Sequence, residues 1–405
     1  MRIVFINQFY WPDVAATSQF LTDLTRGLAA EGHEIEVICG TAEYGPGDAL
    51  DDPPPVKIHR VPTMPFSRSK LGKPLSYISF LLSALWQGLW MQRMDVVVTM
   101  TTPPMLSTVG AAMQRLRGVR HFIWAMDLFP EAFVDVGMFK IESPAMRLLG
   151  RIADYVYRRA DGVIAIGECM RQRLRSRHVP ESKLHVVENW ADGQNIFPIS
   201  QPREGPLVVM YSGNLGLSHD IETLQHAMEK LKDDDRFQFR FVGSGAGLTK
   251  VRDWCTQKKS RNVTFSDYCS RSRLAESLSE AEIGLVTQRT TSFGSVVPSK
   301  VYGLMAAGRP ILYIGPRDTT PCTINERFRC GWNIECGDGE ALVNLLESLY
   351  ARRELIQQAG SRARDAFLAY YDMPQAILRI GSLLGASVGT ERVHVARDFV
   401  EPSGF

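Results

Sequence analysis

Short apolar runs alternate with segments of helical periodicity through most of the chain. The first run, Arg2–Ile6, is followed by apolar residues at helical spacing within Ala16–Ala30, and a second run covers residues 34–39. This order predicts a β-α-β unit, and such units build parallel sheets. Further apolar runs predict strands at residues 56–61, 96–100, 121–125, 162–166 and 184–187. Helical patterns lie between most of them.

The pattern is interrupted once and then resumes. Residues 188–205 lose periodicity and are rich in Pro, Gly, Asn and Asp, which is typical of a linker. Strands are then predicted at residues 207–211, 237–242, 263–265, 283–286 and 310–314, and helices at 220–231 and 246–255. After Gly337 only helical patterns follow, at residues 340–350, 354–370 and 374–384.

We therefore predict an α/β protein with two doubly wound domains in tandem. The predicted parts are an N-terminal domain at 1–190, a linker at 191–205, a C-terminal domain at 206–372, a helix at 373–388 that returns to the first domain, and a tail at 389–405. A chain of 405 residues is also too long for one ordinary core.

Composition and charge exclude several classes of protein. The 46 Lys and Arg nearly balance the 44 Asp and Glu, so the bulk charge gives no reason to expect nucleic acid. The seven cysteines are scattered and form no CxxC pair, so neither a zinc site nor a disulfide framework is indicated, and a reducing compartment is favoured. The start MRIVFINQFYWP has the pattern of a strand and not of a signal peptide.

Residues 74–92 contain no charged side chain. Three basic residues precede them, namely Arg68, Lys70 and Lys73. The length approaches a membrane span, but Ser, Gln and Gly residues dilute the apolar character. Trp86 and Trp90 with a basic flank favour a helix that lies in the headgroup region of a membrane. A core helix packed against the sheet is the alternative.

Four glycine-containing loops follow predicted strands of the second domain. Their sequences are SGNLG at 212–216, VGSGAG at 242–247, SFGSVVPSK at 292–300 and YIGP at 313–316. At the carboxyl ends of one sheet, such loops let the backbone approach a phosphate or a base closely. The sequence has no GxxxxGK[ST] and no complete dinucleotide fingerprint, so a nucleotide bound differently from ATP or NAD is predicted.

The third loop leads into a predicted helix. Pro298 and Ser299 indicate its start, with the serine capping free amides, and Gly308 indicates its end. Apolar side chains fall on one face, namely Val301, Leu304 and Met305. Lys300 is a cation in the first turn, where positive charge is unfavourable unless an anion such as a diphosphate is near. A capped helix with an exposed lysine is the alternative.

Asp127 follows the predicted strand at 121–125, within MDLFPEAFVDVG. It is the acid best placed to face a cleft at the carboxyl end of the first sheet, and a helix cap is the alternative. The chain has no GxSxG motif, and its eight histidines show no metal-type spacing, so no metal site is predicted.

Taken together, these motifs resemble those of retaining GT-B glycosyltransferases of the group 1 (family 4) type. The bacterial subset that builds capsule, O-antigen or exopolysaccharide repeat units is the most similar. The resemblance covers residues 1–388 and rests on FYWPDVAATS, MDLFP, VVENWAD, YSGNLG, FVGSGAG and VPSKVYGLMAAGRP. It implies two Rossmann-like domains with a cleft between them, an acceptor bound largely to the first domain and a nucleotide sugar bound to the second.

The resemblance also implies roles for individual residues. For donor binding these are Ala15 and Ala16 in the N-terminal loop, Gly213 and Asn214 beside the diphosphate, Gly243, Ser244 and Gly245 near the nucleotide, and Val297, Pro298, Ser299 and Lys300 around the diphosphate and sugar. Asp127 takes the place of the family's acid or histidine near the reacting sugar carbon. Asp127 and Lys300 are the expected catalytic residues. Negative charge builds on the diphosphate in the transition state, which the helix end and Lys300 are expected to stabilise. No metal or cofactor is expected apart from the donor substrate.

The implied function is transfer of a hexosyl or N-acetylhexosaminyl group to a polyprenyl-diphosphate-linked glycan. The enzyme is expected on the cytoplasmic face of the membrane, in peripheral contact through residues 74–92, without nucleic acid; its oligomeric state is left open. The sequence departs from the family in two ways. Ser295 and Gly303 stand where many members carry glutamates, and Asn214, Ser218 and His219 follow the strand at Tyr211, where many members carry Arg and Lys. The alternatives are a non-catalytic scaffold of the same fold and a sugar-nucleotide epimerase.

Overall fold

The computed structural model describes residues 1–41, 52–65, 72–140, 142–200 and 205–385. The first seven strands are β1 (Arg2–Ile6), β2 (Glu34–Gly40), β3 (Lys57–Val61), β4 (Val96–Thr99), β5 (Arg120–Ala125), β6 (Gly162–Ala165) and β7 (Leu184–Val186). The next six are β8 (Leu207–Asn214), β9 (Phe237–Ser244), β10 (Val263–Ser266), β11 (Ile283–Thr287), β12 (Ile311–Ile314) and β13 (Gly331–Ile334). They form two separate sheets.

Helices connect the strands and cover the sheets. Those of the first half are α1 (Ala16–Ala30), α2 (Gly72–Trp90), α3 (Ser107–Arg117), α4 (Glu131–Asp135), α5 (Pro144–Arg159) and α6 (Glu168–Ser176). Those of the second half are α7 (Glu222–Lys230), α8 (Ala246–Lys258), α9 (Leu274–Ser279), α10 (Lys300–Ala306), α11 (Thr320–Phe328), α12 (Gly339–Ala351), α13 (Arg353–Tyr370) and α14 (Met373–Leu384).

Both sheets are parallel and doubly wound, which confirms the predicted fold class. The seven-stranded sheet has the order β3-β2-β1-β4-β5-β6-β7, and the six-stranded sheet has the order β10-β9-β8-β11-β12-β13. Ile3, Val4, Phe5 and Ile6 of β1 are all fully buried, because helices cover both faces of the sheet. A strand buried on both faces is a continuous apolar run, which explains the sequence pattern.

The last helix, α14, packs against the first domain. Its buried residues Ile377 and Ile380 belong to the first domain's core. At Gly27 of α1 there is no room for a side chain, since an added Cβ would lie 2.6 Å from Ile377. At the far end of α14, Arg120 of β5 donates a hydrogen bond to the carbonyl of Leu384 at 2.8 Å. The chain therefore crosses from the second domain back to the first.

The structure differs from the predicted elements in two respects. β8 and β9 continue through residues predicted as loops, and Gly213 pairs with Gly243 and Asn214 with Ser244. The predictions also omit α9, α11 and β13. The sequence of β13, GWNI, is short and includes an exposed Asn333, so it lacks an apolar run. Its position depends instead on pairing with β12, which no local pattern reports.

The two domains touch along the loop that precedes α10. The backbone amide of Leu128 donates to the carbonyl of Ser295 at 2.8 Å, and Arg173 donates to the carbonyl of Phe293 at 2.6 Å. Val297, which lies in the second half of the chain, is buried in the first domain's core. This loop is therefore held by both domains at once.

Candidate active site

The carboxyl ends of β8 and β9 form a glycine-lined floor. Gly213 and Gly243 have φ values of +132° and +128°, which favour glycine. A Cβ on Gly213 would lie 2.5 Å from Cε of Lys300, and a Cβ on Gly243 would overlap the carbonyl oxygen of Gly213. Gly245, with φ +127°, begins the approach to α8 and leaves no room for a side chain beside Asn214. The bare backbone thus stays accessible where a side chain would block it.

Lys300 lies directly on this floor. Its Nζ is 5.1 Å from the centroid of the Tyr211 ring, within the range of a cation–π contact. Within the described residues it makes no ion pair with a carboxylate. Part of the side chain is open to water, but the surrounding protein removes much of the ammonium's hydration and lowers the pKa of Lys300 to about 8. An under-solvated cation without an acidic partner is an arrangement that an anion stabilises.

The start of α10 differs from the prediction in one respect. Ser299 is the N-cap residue, as the sequence indicates, but its side chain makes no capping hydrogen bond. Its backbone is in the helical region (φ −81°, ψ −13°), which does not direct the hydroxyl toward the amides of the first turn. The helix has only seven residues, so its dipole is small, and the charge of Lys300 is the main electrostatic feature. Val297 and Pro298 are buried just before it.

A buried histidine supports the floor from below, and the sequence predictions did not assign it a role. His219 Nδ1 donates to the carbonyl of Thr287 at 2.7 Å, and its Nε2 lies 3.3 Å from the hydroxyl of Tyr211. The same hydroxyl donates to the carbonyl of Asn214 at 2.7 Å. Burial and, secondly, the charge of Lys300 lower the pKa of His219 to about 3, so the ring is neutral. This network holds both the glycine turn and the ring beneath the lysine.

Asp127 approaches the same region from the first domain. It forms an isolated antiparallel bridge with Val296, and its backbone amide donates to Oγ1 of Thr101 at 3.1 Å. It is not a helix cap, because the N-cap residue of α4 is Pro130. The side chain is partly exposed, but its surroundings are poorly hydrated, which raises the pKa of Asp127 to about 6. The backbone of Asp127 therefore lies beside the loop that leads to Lys300.

The remaining predicted residues surround these groups. Ala15 is the N-cap residue of α1 and Ala16 is its first residue, just beyond the carboxyl end of β1. Ser244 is exposed at the end of β9, and its hydroxyl lies 3.4 Å from the hydroxyl of Tyr268, a half-exposed residue that the sequence did not single out. Tyr268 follows β10 without a motif, so only the sheet order reveals that it borders the glycine floor.

The two positions at which many family members carry glutamates differ in their surroundings. Ser295 is fully buried at the contact between the domains, and its hydroxyl donates to the carbonyl of Ser292 at 3.3 Å. Gly303, in α10, is partly exposed, and an added Cβ would meet only Leu278 at 3.9 Å. A side chain is sterically possible at 303, so its absence leaves open space beside the site.

No cluster suited to a metal ion occurs among the residues that the structure describes. No helix in the described ranges is long and apolar enough to cross a membrane. One large cavity, about 540 Å³, lies at the amino ends of β1, β4 and β5 and is lined partly by Arg93, Arg117 and Arg120. It is at the wrong edge of the sheet, because open α/β sheets bind ligands at the carboxyl ends of their strands.

Comparison with known proteins agrees with this geometry. The family model described as "Glycosyl transferase 4-like domain" matches residues 16–190, and the model "Glycosyl transferases group 1" matches residues 192–366. The chain is 30% identical over 272 residues to the probable glycosyltransferase WbjE of Pseudomonas aeruginosa, a match that spans 64% of this chain and 66% of that protein. It is 21% identical to the putative colanic acid biosynthesis glycosyl transferase WcaI of Escherichia coli, over 76% of this chain and 82% of that protein.

A solved structure with the same fold was obtained with a nucleotide sugar. Alr3699/HepE of Anabaena in complex with UDP-glucose superimposes with a TM-score of 0.73 at 14% identity, covering 96% of this chain and 100% of the other. At this identity the similarity shows the fold alone. The two-domain architecture of this chain is therefore that of a GT-B protein.

Proposed function

The chain belongs to the group 1 glycosyltransferases of the GT-B fold, and we propose that it is a retaining enzyme that transfers a hexosyl or N-acetylhexosaminyl group from a nucleotide diphosphate sugar to a polyprenyl-diphosphate-linked glycan. One observation carries the donor half of this proposal. The ammonium of Lys300 lies on the bare backbone of Gly213, without an acidic partner in the described residues. A diphosphate supplies the missing negative charge, and the glycine floor lets it come close.

The reaction follows from where charge develops. The bond between the sugar's anomeric carbon and the diphosphate oxygen breaks, and the acceptor hydroxyl forms a new bond to that carbon from the same face. The hydroxyl proton passes to the leaving phosphate oxygen, so no protein base is required. Lys300 stabilises the negative charge that grows on the diphosphate. Asp127, held against Val296, provides a carboxylate toward the positive charge that grows on the sugar. No metal or cofactor takes part in this scheme.

The acceptor half of the proposal rests on α2 and on the relatives. Ser76, Phe80, Ala84 and Gly88 of α2 are buried, whereas a stripe of apolar residues on the opposite side is exposed. The members of this stripe are Leu75, Ile78, Leu82, Trp86 and Trp90. Helix α2 is thus packed on the sheet and also presents an apolar surface. Of the basic residues at its predicted flank, Lys73 is exposed, and Arg68 and Lys70 lie outside the described residues.

An apolar stripe with tryptophans suits the interface of a bilayer, where a lipid-linked acceptor is presented. One relative bears a name from colanic acid biosynthesis, which supports a role in surface polysaccharide assembly. We therefore place the protein in peripheral contact with the inner face of the cell membrane.

Thermal unfolding with a panel of nucleotide diphosphate sugars tests the donor proposal. Uridine, guanosine and thymidine diphosphate sugars are compared with the free nucleosides, and a ligand at 100 times its Kd stabilises the protein by about 2.7 kcal/mol. The matched variants are Lys300→Met and Lys250→Met, since Lys250 is an exposed lysine of α8. We expect a shift with one donor class in wild type and Lys250→Met, and a much smaller shift in Lys300→Met. Absence of a shift with every donor would favour a non-catalytic scaffold.

Vesicle co-sedimentation tests the membrane contact separately. Replacing Trp86 and Trp90, which are 66% and 74% exposed, by Ser is expected to reduce binding to phospholipid vesicles. Leu368→Ser, which removes an exposed apolar side chain from α13, is the control and should bind like wild type. Equal binding by the tryptophan variant and the control would contradict the contact through α2.

A further inference from the structure

A second helix, α5, has an exposed face of unusual chemistry. The helix begins at Ser143, whose Oγ accepts a hydrogen bond from the amide of Met146, and it buries one narrow side that includes Ala153 and Val156. The rest of its surface is open. The large exposed side chains are Arg147, Leu148, Arg151, Ile152, Tyr155, Arg158 and Arg159. Arginines and apolar residues therefore alternate along the same face.

The charge of this face is not neutralised by the neighbouring residues that the structure describes. The only acid within α5 is Asp154, which is turned toward the protein and paired with Arg177 at 2.6 Å. In the described ranges, none of the four exposed arginines forms an ion pair with a carboxylate. Arg147 donates instead to the backbone carbonyl of Glu142 at 2.9 Å. The face is strongly basic, and a negatively charged partner complements it.

This face continues the apolar stripe of α2. Helix α3 lies between the two helices: Arg117 donates to the carbonyl of Gly88 in α2 at 2.6 Å, and Gln114 donates to the carbonyl of Arg159 in α5 at 3.3 Å. The connections from β3 to β4, β4 to β5 and β5 to β6 all run in the same direction across the sheet, so right-handed crossovers place α2, α3 and α5 on one face. Leu116 of α3 is 65% exposed between them.

We propose that α2, α3 and α5 form one lipid-binding surface, in which the α5 arginines bind anionic phospholipid headgroups. Leu148, Ile152 and Tyr155 enter the interface beside them, as in other basic amphipathic helices at membranes. A surface that binds the phosphates of nucleic acid needs basic residues alone. The apolar residues between these arginines therefore favour a membrane over nucleic acid. The inference rests on the proposed membrane contact of α2 and adds the lipid class that the surface selects.

The same arrangement brings the contact between the two domains close to the bilayer. Helix α5 begins at the carboxyl edge of the first sheet, and the loop before it exposes Met138 and Phe139. Phe139 contacts Phe133 of α4, with ring centroids 5.9 Å apart, and α4 borders the loop of the second domain because Thr291 donates to the carbonyl of Asp135 at 3.0 Å. A membrane that touches α5 therefore lies close to the loop of the second domain that leads to Lys300.

Co-sedimentation of the full chain with two kinds of vesicle tests the inference. One kind is phosphatidylcholine alone, and the other is equal parts phosphatidylcholine and phosphatidylglycerol. The test variant replaces Arg147, Arg151 and Arg158 by Gln. The control variant removes the same charge from exposed residues of the second domain, as Lys250→Gln, Lys259→Gln and Arg261→Gln.

We expect each arginine to contribute about fivefold to the affinity for anionic vesicles, so the triple variant should lose about 100-fold. Its affinity for neutral vesicles should equal that of wild type. The control should keep wild-type affinity, and added salt should weaken wild-type binding to anionic vesicles. Equal affinity of the arginine variant and the control for anionic vesicles would overturn the inference. So would a wild-type dimer in sedimentation velocity that the arginine variant loses, because a second copy would then cover the face.

A donor-binding measurement without vesicles separates this inference from the proposed function. Calorimetric titration with the nucleotide sugar should give the same Kd for wild type and the arginine variant. If wild type binds no donor but still selects anionic vesicles, the donor proposal fails and the lipid surface stands. The tryptophan variant should lose binding to both vesicle types, whereas the arginine variant should lose only the anionic preference.

Discussion

Lys300 offers the sharpest test, because its removal should have opposite effects on the empty and the donor-bound protein. In the folded protein its pKa falls from the ordinary 10.5 to about 8 through burial. At 1.36 kcal/mol per pKa unit this difference corresponds to about 3 kcal/mol, and since part of the side chain is open to water we expect about 1–3 kcal/mol. Lys300→Met removes this penalty, so the empty variant should be more stable than wild type at neutral pH.

The sign of the pH dependence follows from the direction of the pKa. Below about pH 8 the folded protein carries the disfavoured ammonium, and the penalty is fully present. Between about pH 8 and pH 10.5 the folded protein releases the proton while the unfolded chain retains it, so wild-type stability rises relative to the variant. The gain in thermal midpoint from Lys300→Met should therefore be a few degrees at neutral pH and shrink toward about pH 10.

Donor binding should show the reverse. Removing one partner of a desolvated charge pair costs about 2 kcal/mol or more, which is about 30-fold in Kd. Thermal unfolding with and without the nucleoside diphosphate measures both effects in one experiment, with Lys250→Met as the control. A Lys300→Met protein that is less stable than wild type when empty, or that gains as much from the ligand, would refute the assignment of this lysine to an anion site.

Three further predictions concern the floor, the acid and the closure of the cleft. Gly213→Ala should abolish donor binding, because the new methyl would lie 2.5 Å from the Lys300 side chain at a backbone φ of +132°. The control Gly303→Ala, whose methyl would meet only Leu278 at 3.9 Å, should bind the donor normally and gain up to about 1 kcal/mol of stability. Calorimetry measures the binding and thermal unfolding the stability, and equal effects of the two substitutions would contradict the geometry. Wild-type activity should rise with pH through about pH 6 as Asp127 ionises, and Asp127→Asn should remove this rise. The substitution should also stabilise the protein above that pH, since burial disfavours the carboxylate. An unchanged pH profile of activity would exclude a role for the ionisation of Asp127. Arg271→Ala breaks the ion pair of 3.1 Å between Arg271 and Asp23, which joins the two domains. Without a donor, the variant should have a larger radius of gyration than wild type in small-angle scattering. An unchanged scattering curve would show that this pair does not hold the domains together.

Much of the fold could be predicted because parallel sheets have a strong local signature. Strands buried on both faces are continuous apolar runs, and the helices between them carry a helical period, so β1, α1 and β2 were recognisable within a residue of their bounds. Lys300 stood out for a similar reason, because a cation in the first turn of a helix conflicts with a local rule and such conflicts concentrate at functional sites.

Predictions from local sequence patterns were wrong or missing where a feature depends on residues that are distant in the sequence. The hydroxyl of Ser299 was expected to cap α10, but the backbone at the domain contact turns it away. The glycines after β8 and β9 were expected in loops, yet each completes the other's strand by pairing Gly213 with Gly243. His219 had no motif, and its role appears only when the fold brings Tyr211 and Thr287 to its ring.

Sequence by itself determined the two α/β domains and the glycine-rich segments, because periodicity and glycine content are local properties. Tertiary structure alone decided that Lys300 lies on Gly213 without an acidic partner among the described residues, and that Asp127 meets the loop before α10. It also decided that α2 and α5 face the same way on either side of α3. The physical reason is that the burial, charge compensation and hydration of a side chain depend on neighbours that are distant in the sequence and become adjacent only when the sheets and domains assemble.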